Sequence, residues 1–344
     1  MTAFETLLET FKTVQKTWLI TGNAGFIGSN LTEFLLNHNQ KVVGLDNFST
    51  GYQHNIDDVL SLVGEENAKN FTFIEGNTWD MDVCQKACEG VDIVLHQAAL
   101  GSVPRSIADP VTSNQSNITG FLNMLTAAKD AGTKRFVYAS SSSVYGDSKE
   151  LPKVEERTGN LLSPYAAMKM TNELYAGVFQ KTYGMETLGL RYFNVFGRRQ
   201  DPDGAYAAVI PKWVGSLLEG EDVYINGDGE TSRDFTYIDN VIQMNLLAGT
   251  TDNTEAFGEA FNVAVGGRNT LNELYTLINK ELKDHIDTFT TKEAIYRDFR
   301  AGDIRHSNAN ISKAQNAVGY VPSHDIYQGM EEAAQWYIES ISSK

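Results

Sequence analysis

Cysteine is scarce in this sequence, which contains only Cys84 and Cys88 among its 344 residues. The two are spaced C-x3-C, with no second pair and no nearby histidine to complete a zinc site. This pattern excludes a disulfide-rich secreted scaffold and predicts no metal site. We expect both thiols to be reduced, as is usual in the cytosol.

Long apolar runs are also missing, and no stretch has the length of a transmembrane helix. Residues 1–16 mix charged with apolar positions, which predicts an amphipathic helical extension rather than a secretory signal. Low-complexity tracts, internal repeats and Pro/Gly/Ser-rich linkers are absent as well. We therefore expect a cytoplasmic protein with no membrane partner, built from two lobes packed closely around one cleft.

Basic residues are outnumbered, with 28 Lys and Arg against 44 Asp and Glu, which gives a formal net charge of -16. Such a charge disfavours binding to polyanions, so nucleic acid is not expected as a partner. The hydrophobic fraction of 42% is that of a globular protein with a sizeable core.

Short runs rich in β-branched residues alternate with helical patterns over the first half of the chain, including helices at about 111–131 and 163–183. The strand-like runs are 17–21, 41–47, 71–76, 91–99, 135–143 and 186–195. This alternation predicts an α/β fold, a Rossmann-type doubly wound parallel sheet with helices on both faces. After residue 196 the alternation of strands and helices becomes less regular, which predicts a smaller mixed α/β lobe.

A glycine pattern lies between the first predicted strand and the helix after it. Gly22, Gly25 and Gly28 permit a tight turn and let the backbone approach a pyrophosphate at the helix N-terminus. The second strand ends at Asp46, where a carboxylate accepts both hydroxyls of an adenosine ribose and repels a 2′-phosphate. The sequence therefore predicts bound NAD rather than NADP.

Candidate catalytic residues follow further along the chain. Tyr165 and Lys169 are four residues apart and so share one face of a helix that starts near Ser163. An ammonium group and a cationic nicotinamide both favour a phenolate, which makes Tyr165 a candidate proton acceptor. The serine run 140–143 lies at the carboxyl end of a predicted strand, where open α/β sheets bind ligands. A hydroxyl there can bridge the substrate and Tyr165.

Several segments carry a family resemblance, among them TGNAGFIG, HQAALGSVPRS, SSSSVYG, SPYAAMK, YINGDGETSRDF and FRAGDIRHS. They resemble the extended short-chain dehydrogenase/reductase family, and within it the nucleotide-sugar epimerases. The likeness covers about residues 17–340 and is especially close to bacterial UDP-N-acetylglucosamine 4-epimerases of polysaccharide biosynthesis. It implies an isomerase that interconverts UDP-GlcNAc and UDP-GalNAc, a UDP-sugar site in the second lobe, and a homodimer built on the helices at 111–131 and 163–183.

The reaction that the resemblance implies is transient oxidation at C4 of the sugar. Tyr165 would deprotonate the 4-hydroxyl while C4 passes a hydride to tightly held NAD, and the 4-keto sugar would then turn over to receive the hydride on its other face. Ser141 matches the catalytic serine of the family. Lys169 would hold the nicotinamide ribose and lower the pKa of Tyr165.

The remaining site residues are carried over by their positions in the family motifs. The cofactor positions are Gly22, Gly25, Phe26, Ile27, Gly28, Asp46, Asn47, Phe48, Ser49, Thr50, Gly51, Asn77, Thr78, Gln97, Ala98, Ala99, Ser116, Tyr165, Lys169 and Tyr192. The substrate positions are Gly101, Ser102, Ser141, Ser142, Ser143, Tyr165, Asn194, Ala208, Val209, Trp213, Tyr224, Ile225, Asn226, Arg233, Arg300, Asp303 and Ser307.

Four of these residues carry specific expectations. Arg233 and Arg300 would clamp the diphosphate with charge-assisted hydrogen bonds, and a small Ser307 would leave room for an N-acetyl group. Close relatives usually have an acid where Asn77 stands, so one acceptor for the adenine amino group is missing here.

The predicted domains are an amphipathic extension over 1–16, a mainly NAD-binding Rossmann domain over 17–195, and a mainly UDP-sugar-binding lobe over 196–344, with the lobes interlocked. Sugar-nucleotide dehydratases need an Asp-Glu pair where Ser142 and Ser143 stand, so that chemistry is disfavoured. Two alternatives stay open at this point. One is a UDP-N-acetylglucosaminuronate 4-epimerase, and the other is a non-catalytic NAD-binding module.

Overall fold

A computed structural model of the chain describes residues 1–201, 208–299 and 305–342. The strands are β1 (Thr17–Thr21), β2 (Lys41–Asp46), β3 (Phe71–Glu75), β4 (Ile93–His96), β5 (Arg135–Ser141), β6 (Glu186–Tyr192), β7 (Val195–Phe196), β8 (Tyr224–Asn226), β9 (Ser232–Arg233), β10 (Thr236–Tyr237), β11 (Glu259–Val263), β12 (Asn269–Thr270) and β13 (Ile295–Arg297).

The helices surround these strands on both sides. They are α1 (Ala3–Phe11), α2 (Phe26–Asn37), α3 (Gln53–Ala68), α4 (Met81–Ala87), α5 (Val103–Ala108), α6 (Pro110–Asn114), α7 (Gly120–Asp130), α8 (Pro164–Tyr183), α9 (Val209–Leu218), α10 (Ile238–Thr250), α11 (Leu271–His285), α12 (Ser312–Val318) and α13 (Ile326–Ser342). A π-helical turn, Gln115–Thr119, joins α6 to α7.

The central sheet has seven strands in the order β11-β6-β5-β4-β1-β2-β3, and every neighbouring pair is parallel. The order reverses between β1 and β4, so the loops after these two strands diverge and leave a crevice at their carboxyl ends. This arrangement confirms the predicted Rossmann-type fold. Trp18, Leu19 and Ile20 of β1 are completely buried, as expected for a strand covered by helices on both faces.

The seventh strand, β11, is absent from the expectations drawn from the sequence. It pairs with β6 in a register that places Phe261 opposite Leu190. Helix α10 precedes it and packs against α2, β4 and β5. The segment 238–263 therefore completes the sheet, although it lies far beyond residue 195. A five-residue strand between a helix and a loop has too short a pattern to stand out in the sequence.

The N-terminal helix is part of the core. Thr2 and Glu5 form a capping box at its start, and its buried residues are Leu7 and Phe11. The Phe11 ring meets Trp18 edge-on at 6.1 Å between centroids. Among the described helices none is long and apolar enough to cross a membrane.

Candidate active site

The turn between β1 and α2 contains the glycine pattern. Gly22 has a φ of +70°, and a Cβ there would stand 2.9 Å from the backbone nitrogen of Ala98. A Cβ on Gly28 would stand only 2.1 Å from the Gly22 carbonyl oxygen, and Gly25 is the N-cap residue of α2. No side chain fits at Gly22 or Gly28, so bare backbone lines the approach to the helix N-terminus. That geometry suits a pyrophosphate.

Asp46 ends β2 with its carboxylate turned toward the glycine turn. Its Oδ2 accepts a hydrogen bond from the Ala24 amide and its Oδ1 from the Phe48 amide, each at 2.8 Å. Burial raises the pKa of this carboxyl above its ordinary value, while the two amide hydrogen bonds act in the opposite direction. The carboxylate is fixed in place beside the crevice, where it can accept ribose hydroxyls.

Asn77 is engaged by the protein itself. The Asn47 side-chain amide donates to the Asn77 Oδ1 at 2.7 Å, and the Asn47 Oδ1 accepts from the Ser49 amide at 3.0 Å. Asn47 and Ser49 line the crevice, whereas Asn77 lies just behind it. The amide of Asn77 therefore orients Asn47 rather than presenting an acceptor of its own.

At the other end of the crevice a closed set of hydrogen bonds fixes two predicted residues. The Tyr192 hydroxyl donates to the Gln97 Oε1 and accepts from the Asn245 Nδ2, both at 2.9 Å. The Gln97 Nε2 donates to the Asn245 Oδ1, also at 2.9 Å. Asn245 is fully buried on α10. Side chains from three separate segments thus hold one another in place.

These features surround a cleft of about 750 Å³ at the carboxyl ends of the strands. The predicted cofactor residues that line it are Gly22, Gly25, Phe26, Ile27, Gly28, Asp46, Asn47, Ser49, Thr50, Thr78, Gln97, Ala98, Ala99, Ser116, Tyr165, Lys169 and Tyr192.

Three predicted cofactor residues lie outside the lining: Phe48, Gly51 and Asn77. The Phe48 ring packs on Phe73 at 5.4 Å between centroids. A Cβ on Gly51 would meet the Ala24 backbone at 2.7 Å, so this glycine serves the packing of the loop. Residues next to lining positions in sequence need not face the same space, and the assignment of these three residues to the cofactor stays a prediction.

Tyr165 and Lys169 converge as their spacing predicts. The Tyr165 hydroxyl is hydrogen-bonded to Ser141 at the end of β5. The Lys169 Nζ donates to the Ala139 carbonyl at 2.8 Å and lies 5.8 Å from the centroid of the Tyr165 ring. The Tyr165 amide donates to the Ser106 Oγ at 3.0 Å, which ties the start of α8 to α5.

Burial acts on both groups. It raises the pKa of the Tyr165 phenol, and the hydrogen bond from Ser141 opposes this. It lowers the pKa of the Lys169 ammonium to about 8, and the Glu173 carboxylate opposes this. The protein alone therefore keeps Tyr165 protonated; the prediction that Lys169 lowers the tyrosine pKa was made for a site that also holds a cationic nicotinamide, and it stays a prediction. A second positive charge, such as an oxidised nicotinamide, is needed to favour the phenolate.

Two further elements face the reacting groups. The Asn117 side chain, in the π-helical turn, accepts from the Leu100 amide at 2.7 Å and donates to the Leu100 carbonyl at 3.0 Å. This anchors the cleft-lining pair Gly101 and Ser102. On the other side, the buried Ser143 Oγ has no hydrogen-bond partner among the described residues. Ser143 lines neither the cleft nor the second cavity described below.

A second cavity, of about 480 Å³, adjoins the cleft, since Ala208 lines both. The predicted substrate residues that line it are Asn194, Ala208, Val209, Trp213, Tyr224, Asn226 and Arg233.

The other predicted substrate residues lie around these spaces or beyond the described chain. Ile225 is completely buried on β8, between two lining residues, so its side chain belongs to the core. The Ser307 amide donates to the Ser232 carbonyl at 3.1 Å, which places Ser307 beside the Arg233 strand. Ser142 begins the turn that follows β5. Arg300 and Asp303 lie outside the described residues.

Comparison with known proteins matches residues 18–264 to the NAD dependent epimerase/dehydratase family. The chain belongs to this family. The solved UDP-N-acetylglucosamine 4-epimerase of Methanobrevibacter ruminantium M1, in complex with UDP-N-acetylmuramic acid, is 37% identical with a TM-score of 0.86, over 95% of this chain and 99% of that one.

Two curated relatives are similar over nearly their whole length. The UDP-glucose 4-epimerase of Mycolicibacterium smegmatis is 32% identical over 93% of this chain and 97% of its own. The UDP-glucuronate 4-epimerase of Thermodesulfobacterium geofontis is 32% identical over 94% of this chain and 97% of its own. The family assignment supports NAD as the cofactor of this chain.

The residues present fit NAD. Gly22 and Gly28 leave no room for a Cβ, so only backbone lines the approach to the helix N-terminus, and the fixed Asp46 carboxylate lies where it can accept ribose hydroxyls. Gln97 and Tyr192 line the opposite end, next to Tyr165 and Lys169. These residues would hold the cofactor, which would supply a hydride acceptor beside the catalytic hydroxyl.

Several residues around the site of this family member were not found from the sequence. Tyr52 and Asp201 line the cleft, and the Tyr52 hydroxyl donates to the Asp201 Oδ2 at 2.6 Å. In the second cavity, the Arg297 guanidinium stacks 3.2 Å from the centroid of the Tyr224 ring. Each pair joins residues more than 70 positions apart. The exposed aromatic residues were a signal, but their partners could be identified only from the fold.

Proposed function

We propose that this chain catalyses the NAD-dependent interconversion of UDP-GlcNAc and UDP-GalNAc by inversion at C4 of the sugar. The observation that carries the proposal is the hydrogen-bonded pair of Tyr165 and Ser141, with Lys169 at its side, in a cleft that opens at Ala208 onto a second cavity. The pair is positioned for proton transfer. The two adjoining spaces have room for a dinucleotide and a nucleotide sugar.

The chemistry assigned to each residue follows from these contacts. Tyr165 takes the proton of the sugar 4-hydroxyl, and Ser141 hydrogen-bonds the same oxygen and orients it. Lys169 keeps a positive charge near the phenol and stabilises its ionised form. Bound NAD would supply a hydride acceptor and donor for C4 beside the Tyr165 hydroxyl. Tyr165 then gives the proton back, so no external oxidant is consumed.

The choice of an N-acetylhexosamine rests on a small side chain. The family resemblance implies that a small residue at Ser307 leaves room for the 2-substituent of the sugar, and the Ser307 backbone is held beside the Arg233 strand. The 37% identical UDP-N-acetylglucosamine 4-epimerase supports the same substrate class.

A homodimer is part of the proposal. Leu174 is 65% exposed and Val178 is 55% exposed, and the two lie one turn apart on α8. Ile107 and Val111, from α5 and α6, are also exposed. Helices α5 and α6 both contact α8. The four exposed residues therefore form one apolar face on the helices that cover this side of the sheet. A second copy of the same face would cover it and hold the catalytic helix rigid.

The assay that tests the function is direct. Purified protein is incubated without added oxidant with UDP-GlcNAc, UDP-Glc or UDP-N-acetylglucosaminuronate, and the anomeric signals are followed by NMR. Fastest conversion of UDP-GlcNAc to UDP-GalNAc supports the proposal. Preference for the uronate would assign the enzyme to the acidic sugar instead. Failure to convert any of the three, by protein that contains NAD, would favour a non-catalytic NAD-binding module.

A further inference from the structure

A buried ion pair lies directly behind the catalytic groups and has no part in the reaction as described so far. Glu173, on α8, accepts from Arg191 in a bidentate arrangement, Nε to Oε1 at 2.9 Å and Nη2 to Oε2 at 2.8 Å. The two side chains are only 11% and 6% exposed. A carboxylate is rarely buried this deeply unless it is paired with a positive charge. Because Glu173 lies beside a catalytic lysine, it is a candidate for a role in the reaction.

The pair is connected to the strand that carries the catalytic serine. The Ser140 hydroxyl donates to the Glu173 Oε1 at 2.5 Å. Ser140 stands between Ala139, whose carbonyl accepts from the Lys169 Nζ, and Ser141, which bonds Tyr165. Glu173 therefore holds the end of β5 from behind, at the point where both catalytic contacts are made.

Glu173 also lies one helical turn beyond Lys169, on the same face of α8, where i and i+4 side chains are neighbours. The titratable groups that face Lys169 are His96 from β4, and Tyr165 and Glu173 from α8. Burial and Lys169 together lower the pKa of His96 to about 3, so this imidazole is neutral at pH 7. Tyr165 is protonated in the protein alone. Among the residues that the structure describes, Glu173 is thus the group that supplies negative charge to Lys169.

We propose that Glu173 is a positioning residue for the reaction: held by Arg191 and Ser140, it keeps Lys169 charged and aligned with the catalytic tyrosine. This inference rests on the proposed function, since it assigns Glu173 a role through Lys169. Burial favours the uncharged form of a lysine, and with a pKa of about 8 Lys169 is only about one pH unit from losing half its charge at neutral pH. A neutral amine would neither stabilise a phenolate nor hold a ribose hydroxyl as strongly.

The test is the pH dependence of epimerisation by the NAD-loaded enzyme with Glu173→Gln. Activity that needs a charged Lys169 falls as the pH rises through its pKa. The fall in activity at high pH is the alkaline limb of the pH–rate profile. Removal of the Glu173 carboxylate should move the midpoint of this limb down by about one pH unit or more, because one nearby charge has an effect of this size. The ratio of rates at pH 8 and pH 6 should then fall roughly fivefold, with little change in KM for the sugar nucleotide.

Because Glu173→Gln leaves Arg191 buried without its counter-charge, the double variant Glu173→Gln/Arg191→Met is measured beside it. The matched control is Glu186→Gln. Glu186 also pairs with a buried arginine, since its Oε2 accepts from the Arg135 Nε at 3.1 Å and Nη2 at 2.9 Å, but at the opposite end of β5 and β6. The Glu186→Gln variant should have an altered free energy of unfolding but an unchanged alkaline limb of the pH–rate profile.

A second readout does not depend on turnover. NMR titration of 13Cε-labelled lysine should place the midpoint of Lys169 lower in both Glu173 variants than in the wild type, and unchanged in Glu186→Gln. Coincident midpoints and coincident alkaline limbs in all four proteins would refute the role of Glu173. If the wild type converts no UDP-sugar, the proposed function fails, while the lysine titration still decides whether Glu173 sets the charge of Lys169.

Discussion

The close approach of Gly28 to the preceding turn allows a sharp prediction for Gly28→Ala. The added Cβ would stand 2.1 Å from the Gly22 carbonyl oxygen, 2.8 Å from the Gly22 carbonyl carbon and 2.9 Å from the Asn23 Cα. All three atoms belong to the backbone, so no flexible side chain can move aside. The turn must retreat by roughly 1.3 Å before the oxygen reaches an ordinary 3.4 Å contact.

That displacement acts on the amides at the N-terminus of α2. Hydrogen bonds to a charged group contribute about 1.5–3 kcal/mol each and weaken steeply when misaligned. Loss of two such bonds to a pyrophosphate corresponds to about 3–6 kcal/mol, or roughly a 10²- to 10⁴-fold weaker binding of NAD. We expect Gly28→Ala to emerge from purification without cofactor and to regain activity only at high added NAD.

The measurement is the amount of NAD released per chain on denaturation, together with the midpoint of thermal unfolding. Gly177→Ala is the matched control, because a Cβ there meets only the Gly258 carbonyl oxygen at 3.8 Å and the position is helical. It should keep its cofactor and be slightly more stable. Gly28→Ala with a full complement of NAD would refute the reasoning.

Three further outcomes follow from the site. Tyr165→Phe should keep its NAD and its fold but lose about 10²- to 10⁴-fold in turnover, as measured by NMR of the anomeric signals, and undiminished activity would remove Tyr165 from the mechanism. Asn77→Asp should still accept from Asn47. Because the family resemblance places an acidic residue near the adenine at this position, we expect NAD to dissociate about 3- to 10-fold more slowly in a competition assay; an unchanged or faster rate would contradict this. Leu174→Glu should convert the proposed dimer to a monomer in light scattering, whereas the equally exposed Leu62→Glu on α3, with 60% exposure, should not.

The parts of the site that could be predicted are those in which neighbours in sequence are neighbours in space. Gly22, Gly25 and Gly28 form one turn, and Tyr165 and Lys169 lie one helical turn apart, so spacing alone placed them correctly. The fold class followed from the alternation of strands and helices, because a parallel sheet needs a crossover between each pair of strands.

The parts that could not be predicted depend on contacts between distant segments. Nothing local in Asn245 shows that it meets Gln97 and Tyr192, and nothing near Glu173 shows that Arg191 covers it. The roles of Ser141 and Ser307 came from family resemblance rather than from spacing. The depth of burial at Tyr165, which raises the pKa of its phenol, could also not be predicted from the sequence.

Strand β11 belongs to the central sheet and helix α10 packs against it. This restricts which segments of this protein can be exchanged with those of its relatives. A chimera joined once near residue 195 would separate β6 from the strand that covers its edge, and α2 from the helix that packs on it. Exchange of the sugar-binding lobe therefore needs three junctions, near residues 195, 237 and 263, so that 238–263 stays with the cofactor half. Sugar preference and cofactor binding can be recombined as separate modules only along that discontinuous boundary.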